Sequence, residues 1–137
     1  MVLKVGLLER AIPMPPDVIR LVIADDHEAV RHSLHMVMDI YDDIEVIGEA
    51  ANGKEAVDLC ARLQPDLVLM DLLMPVMDGV TATKLIRERF PNIRVLVLTS
   101  GIDPDMISAA MVAGAHSYLE KHVNIDALAK AMWAAIA

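Results

Sequence analysis

The stretch PDLVLMDLLMPVMDGV, residues 65–80, decides the fold. Its first half is a short run of Leu, Val and Met that stops at an aspartate, Asp71. Its second half is a loop holding Met74, Pro75, Asp78 and Gly79. A short, continuous apolar run bounded by turn signals marks a strand buried on both faces. Pro65 stops whatever precedes it, and Gly79 allows a tight turn into whatever follows. A buried strand delivers a carboxylate at its carboxyl end, so the flanking segments must supply its neighbours and its covering layers.

They do so by alternating two periods. IRLVIADD (19–26) is a β-branched run ending in acids, and Val30, Leu34, Val37, Met38 and Tyr41 then recur at helical spacing, predicting a helix over 28–40. IEVIGEAA (44–51) is a second strand, and Asn52-Gly53 starts a helix with Ala56, Leu59, Cys60 and Leu63 on its inner face. The third strand is DLVLMD (66–71); a helix over 79–90 follows, with Val80, Thr83, Ile86 and Phe90 inward and Pro91 as its stop. IRVLVLTS (93–100) is the fourth strand, and Asp103-Pro104 opens a helix that Gly114 closes. AHSYLEK (115–121) is a fifth, more polar strand and therefore an edge; IDALAKAMWAAI (125–136) is the last helix, striped by Leu128, Met132 and Ile136.

Five apolar strands separated by helices predict an α/β domain, a doubly wound parallel sheet of order 2-1-3-4-5. At 137 residues the chain is one domain, able to bury roughly two-thirds of the surface its unfolded form exposes. Hydrophobic residues make up 55% and aromatics 3%, so the core is aliphatic. A net charge of −8 argues against a domain that grips nucleic acid by neutralising phosphates. Cys60 is the single cysteine, which excludes an internal disulfide and a thiolate zinc cluster and reads as a small core residue.

No apolar run is long enough to span a bilayer, and Glu9 and Arg10 interrupt an N-terminal stretch that lacks a cleavage site, so the expected compartment is the cytoplasm. Pro13, Pro15 and Pro16 set residues 1–17 apart as an extension, flexible or vector-derived, with 18–137 as the domain proper. An amphipathic arm docked on the domain is the alternative.

In an open parallel sheet, ligands bind beyond the carboxyl ends of the strands, where strand order reverses. Here that is between strands one and three. Asp25-Asp26 end the first and Asp71 the third; Thr99-Ser100 end the fourth, and the fifth runs into Lys121. Each of these alone is ordinary, since strand-end acids usually cap helices or make turns. Together they gather three carboxylates in one crevice. Clustered carboxylates share protons or hold a cation. An all-oxygen set with open positions suits Mg²⁺. A cation, an ammonium and a hydroxyl around one carboxylate are what an incoming phosphoryl group needs, and aspartate is a known phosphoryl acceptor.

At IADDHE, VLMDLLMPVMDG, VLVLTS and YLEK the sequence resembles the receiver domain of two-component response regulators, over about residues 19–136. The look of DDHEAVRHSL and GAHSYLEK is that of receivers that precede a helix-turn-helix DNA-binding domain. The resemblance implies a CheY-like, flavodoxin-like (βα)5 fold and a signalling switch rather than an enzyme, one that catalyses only its own phosphorylation and dephosphorylation. It implies that a histidine kinase or phosphotransfer protein phosphorylates Asp71. It implies Mg²⁺ on Asp25, Asp26, Asp71 and the Leu73 backbone carbonyl, Thr99 and Lys121 on the phosphoryl group, and Tyr118 as the switching aromatic. It further implies a homodimer through the strand 4–strand 5–last helix face, with Tyr118 and Trp133 as candidates, and DNA contact only through an output domain. The N-terminal arm and Glu120 depart from the family pattern. Leu73 and Gly101, flanking the site, carry no group to position an attacking water, which implies a moderately long-lived phosphoryl group.

The loop of the opening stretch then has a mechanical reading. Met74-Pro75 bends the chain off the strand direction, and Asp78 is a turn or cap residue rather than a metal ligand. Met70, Met74 and Met77 pack the core and the loop. His27, His32 and His35 are not spaced i, i+4, which speaks against a transition-metal site built from them, and His116 and His122 read as surface residues. Three other readings compete. A flavin carrier of the same topology needs a Ser/Thr/Gly-rich loop after strand one, where this chain has Asp25-Asp26-His27-Glu28. An aspartyl phosphatase places its two acids two apart on the first strand, whereas these are adjacent. A non-phosphorylated interaction module has no need of the intact acid set.

Overall fold

A computed structural model of the protein describes residues 15–101 and 103–137. The expected extension over residues 1–17 falls largely on residues 1–14, outside the described residues. Five strands, β1 (Ile19–Ala24), β2 (Ile44–Ala50), β3 (Leu67–Met70), β4 (Arg94–Thr99) and β5 (Ser117–Glu120), alternate with five helices, α1 (Glu28–Met38), α2 (Gly53–Leu63), α3 (Gly79–Arg89), α4 (Pro104–Ala113) and α5 (Ile125–Ile136). All strand pairs are parallel and the order is β2-β1-β3-β4-β5, as the sequence predicts. Every residue of β3 is buried, whereas no residue of β5, at the edge, is fully buried.

Strand alternation sorts the core into two layers. Ile19, Leu21, Ile23, Leu67, Leu69, Leu96 and Leu98 face Met38 of α1 and Leu128, Ala129, Met132 and Ala135 of α5. Val22, Ala24, Val68, Met70 and Val95 face Ala56, Val57 and Cys60 of α2 and Ala82 and Ile86 of α3. Val97 and Leu72 complete that second layer against Ala110 of α4. Cys60 is one of these core residues, and burial pushes its thiol up to about 12, so it has no thiolate character at neutral pH.

Helix starts follow the capping residues. Asn52, Asp78, Asp103 and Asn124 each accept a backbone N–H of the first turn of α2, α3, α4 and α5. For Asp78 the donor is Thr81 N at 2.7 Å, so this acid caps a helix as expected. The exception is α1, whose N-cap, His27, makes no side-chain cap bond. That helix also ends two residues earlier than its apolar spacing predicts. Asp39 bonds back to His35 and Val37, and Ile40 is left 74% exposed in the turn that follows.

The loop from β3 to α3 is held tightly. Gly79 N donates to Leu72 O (2.9 Å), and the buried Thr83 hydroxyl donates to Gly79 O (2.7 Å). Pro75 O accepts Met77 N (2.7 Å) across Val76, whose φ of 68° lies in the left-handed region. Such a conformation costs a β-branched residue on the order of 1–3 kcal/mol. A Cβ on Gly79 would sit 2.1 Å from Asp71 O and 2.8 Å from Leu72 Cα, both backbone atoms that cannot swing aside. Gly79→Ala is therefore expected to cost more than about 2 kcal/mol by overpacking, seen as a lowered urea midpoint in equilibrium unfolding.

Candidate functional site

The register of β1 and β3 creates the site. Ala24 pairs with Met70, and Asp71 N donates to Ala24 O at 2.9 Å, so the next residues on each strand, Asp25 and Asp71, leave the sheet side by side. Both side chains are almost wholly buried, at 3% and 6% exposure. Asp26 is more open and completes the cluster. Ligand atoms of Asp25, Asp26, Asp71 and His27 all lie within 4.8 Å of one another. The three carboxylates expected to converge do converge.

Lys121 comes from the far edge. Its backbone N donates to Thr99 O (2.9 Å), which fixes the loop after β5 against the end of β4. From there its ammonium reaches Asp25 Oδ2, in hydrogen-bond contact, and Asp71 Oδ2 at 3.3 Å. Burial raises the Asp71 carboxyl above its ordinary value; the Lys121 charge opposes this, the Asp25 charge reinforces it, and the net is upward. For Lys121, burial works to lower the value, but the hydrogen bond to Asp25 and the charges of Asp71 and Asp25 outweigh it and leave it raised. A basic group whose value folding raises stabilises the fold below its unfolded value and loses that contribution only as pH rises through the folded one. Lys121 therefore stabilises the protein throughout the neutral range.

Thr99 and Leu73 share a 220 Å³ hollow with Met106 and Ile107 of α4. The Thr99 hydroxyl is not aimed at Asp71. It donates to Gly101 O at 3.1 Å and lies 3.4 Å from Gly101 N. The Leu73 backbone works to lower the Asp71 carboxyl, and its side chain is 63% exposed. Tyr118 is half exposed and lines a 620 Å³ cleft with Thr99, Pro104, Ile107 and Met111. It does not share a face with Trp133. Tyr118 pairs with Val97, on the α4 side of the sheet, whereas Trp133 packs half-buried against the α1–α5 core.

Two contributors were not singled out from sequence. His27 Nδ1 lies 3.1 Å from Asp25 Oδ1 and 3.2 Å from Asp26 Oδ1, and its backbone N donates to the same Asp25 oxygen at 2.9 Å. Its signal was present: an imidazole at a helix N-cap, directly after two acids. Arg31 donates from Nη1 to Asp25 O (2.7 Å), with Nε 3.3 Å from Glu49 Oε1, and so ties the end of β1 to α1 and β2. Nothing in its spacing announces that.

Carboxylates thus gather at the carboxyl edge of a 2-1-3-4-5 parallel sheet, with a lysine from beyond the fifth strand among them. The response regulator receiver domain family matches residues 21–132, and the chain belongs to it. It is 46% identical over 117 residues to the transcriptional regulatory protein LiaR of Bacillus subtilis, covering 85% of this chain and 56% of that one. It is 45% identical over 114 residues to the response regulator protein VraR of Staphylococcus aureus, covering 83% of this chain and 54% of that one. The chain thus spans about half the length of these curated relatives. The crystal structure of a LuxR-family DNA-binding response regulator from S. aureus superposes with a TM-score of 0.83 at 26% identity, covering 88% of this chain and all of that one. The protein is accordingly a receiver domain of a two-component response regulator, a signalling domain whose state depends on phosphorylation. Among the described residues no helix is long and apolar enough to cross a membrane.

Removing the ammonium should expose the repulsion it masks. Lys121→Met leaves Asp25 and Asp71 buried without a counter-charge, and at neutral pH the dication-free protein should lose about 3 kcal/mol of unfolding free energy. The loss should shrink in acid, where the carboxylates take up protons, as read from urea titrations at pH 7 and pH 4 in EDTA.

Proposed function

We propose that Asp71 is the phosphoryl acceptor of this receiver. The observation that carries it is the position of Asp71: buried, beside Asp25, and in reach of a lysine delivered from another strand. One Asp71 oxygen attacks the phosphorus of a phosphohistidine on a kinase or phosphotransfer partner. The P–O bond forms as the P–N bond breaks, and the imidazole leaves with the bonding pair and takes up a proton. Lys121 moves its ammonium from the Asp25–Asp71 pair to a phosphoryl oxygen, so its positive charge meets the negative charge where it gathers. Asp25, Asp26 and Asp71, with the Leu73 carbonyl, would hold Mg²⁺, which supplies further positive charge to the transferring group. The fit of the donors supports this: hard carboxylate oxygens around one point, open to water on the Asp26 side.

The output follows from Thr99. Its hydroxyl, now on Gly101, turns to a phosphoryl oxygen, and the space it vacates admits the Tyr118 ring from the cleft beside α4. The equilibrium between the two arrangements pre-exists, and the phosphoryl group biases it. The domain catalyses its own phosphorylation and dephosphorylation and no other turnover, and works in the cytoplasm. LiaR carries the name of a transcriptional regulator, and we assign this receiver the same kind of output, through a DNA-binding domain elsewhere in its protein. A homodimer would use the β4–β5–α5 face, where Tyr118 is exposed and Trp133 half-buried.

Incubation with Mg²⁺ and a small acyl phosphate should add one phosphoryl group by intact mass, and Asp71→Asn should abolish it. An adduct that survives this substitution overturns the assignment. Thr99→Ala should still take up the group yet leave the Tyr118 ring resonances where they are in the unmodified protein.

A further inference from the structure

Arg31 lies on α1, behind the acidic pocket, and takes no part in the phosphoryl chemistry. Its side chain is 15% exposed, with Glu49 of β2 beside it. A guanidinium next to a carboxylate ordinarily lays two parallel N–H groups on the two oxygens. Arg31 does not treat Glu49 in this way. Nη1 turns instead to the backbone carbonyl of Asp25, at 2.7 Å. Nε is left 3.3 Å from Glu49 Oε1, close enough to pair in charge but misaligned, and among the described residues this buried atom makes no hydrogen bond. The second Glu49 oxygen lies 2.9 Å from His35 Nδ1. Leaving a buried donor unbonded is costly, so the orientation of the guanidinium is set by Asp25 O and not by Glu49.

We infer that Arg31 is a positioning residue of the phosphoryl-acceptor site, which holds the Asp25–Asp26 peptide and thereby aims the Asp26 carboxylate. The inference rests on the proposed roles of Asp71 and its cation, and refines them. The Asp25 side chain is secured without Arg31. Its Oδ1 accepts His27 N (2.9 Å), its Oδ2 meets Lys121, and the Asp25 backbone N donates to Ala50 O (3.0 Å). Asp26 is held otherwise. Its side chain is 30% exposed, and among the described residues its carboxylate meets one polar partner, the His27 ring at 3.2 Å. Its place in the cluster with Asp25 and Asp71 therefore depends on the peptide that precedes it. Rotation of that peptide would swing the Asp26 carboxylate toward water, the direction in which repulsion from two buried acids already pushes it. Arg31 opposes the rotation from the α1 side through a charge-assisted bond to the carbonyl.

Glu49 has a separate task. It keeps the guanidinium charge paired where water is nearly excluded, so it bears on stability and not on the aim of Asp26.

Calorimetric titration of the full chain with Mg²⁺, without a phosphoryl donor, reads the first role, and urea unfolding in EDTA reads the second. Arg31→Met removes the donor to Asp25 O and should weaken Mg²⁺ at least about tenfold, as loss of an orienting partner behind a ligand does. Because this variant strands Glu49 without a counter-charge, Arg31→Met/Glu49→Gln is measured beside it. The double variant should recover its urea midpoint toward wild type and keep the whole loss of Mg²⁺ affinity. Glu49→Gln alone should lower the urea midpoint yet leave Mg²⁺ within about twofold, since the bond to Asp25 O survives. Arg31→Lys, which can still donate to that carbonyl, should restore most of the affinity. At saturating Mg²⁺ a small acyl phosphate should modify the double variant within about threefold of the wild-type rate, because Asp71 and Lys121 are intact. Wild-type Mg²⁺ affinity in the double variant, or a loss in Glu49→Gln equal to that in the double variant, overturns the role of Arg31. A phosphoryl adduct that survives Asp71→Asn overturns instead the acceptor reading on which it rests.

Discussion

Two carboxylates buried side by side require a positive charge between them, and the geometry of the domain is organised around supplying it. Asp25 and Asp71 are brought together by one backbone hydrogen bond across the β1–β3 pair, and neither can move to relieve the repulsion without leaving the sheet. Lys121 answers from two strands away. Its reach depends on the parallel direction of β4 and β5, because only a parallel sheet turns every strand end toward the same edge. The helices matter to the site mainly by making that sheet possible, covering both faces with aliphatic side chains.

The same charge balance explains how one pocket can be stable and responsive. A pocket neutralised entirely by fixed partners would have no reason to admit a phosphoryl group. Here the neutralising group sits on a flexible stem, while the acids are rigid. An incoming anion or cation therefore competes for Lys121, or for the acids it holds, and leaves the scaffold in place. Thr99 is engaged in the same way, by a bond to Gly101 that can be exchanged.

Much of this was legible in the sequence, for identifiable reasons. The β1, β3 and β4 runs are apolar without interruption because both faces of a central strand are buried, and strand order then follows from handedness and chain length. The polarity of Ser117 and Glu120 marked the edge. Asp78 was separable from Asp71 because a proline and a glycine around it signalled a turn. What could not be read depends on rotation and register. The Thr99 hydroxyl is aimed by a loop contact two residues on. Whether Tyr118 and Trp133 share a face depends on which β5 residue opposes Val97, and one step of register reverses it. His27 was visible as a residue but not as a pocket donor, since only the turn out of β1 determines where its ring points. Val76 carries no sequence mark of its left-handed φ, which Asn or Gly would have advertised.

The position of β5 places the site's charge balance on an edge strand of the sheet. It is four residues long and, among the described residues, pairs with β4 alone. Strands of that kind open first in native-state fluctuations, at a free energy well below that of global unfolding. Each such opening carries Lys121 away from Asp25 and Asp71. The lifetime of the resting pocket is thus coupled to the fraying of an edge strand, and amide exchange along residues 117–120 becomes a clock for how often the buried acids stand uncompensated.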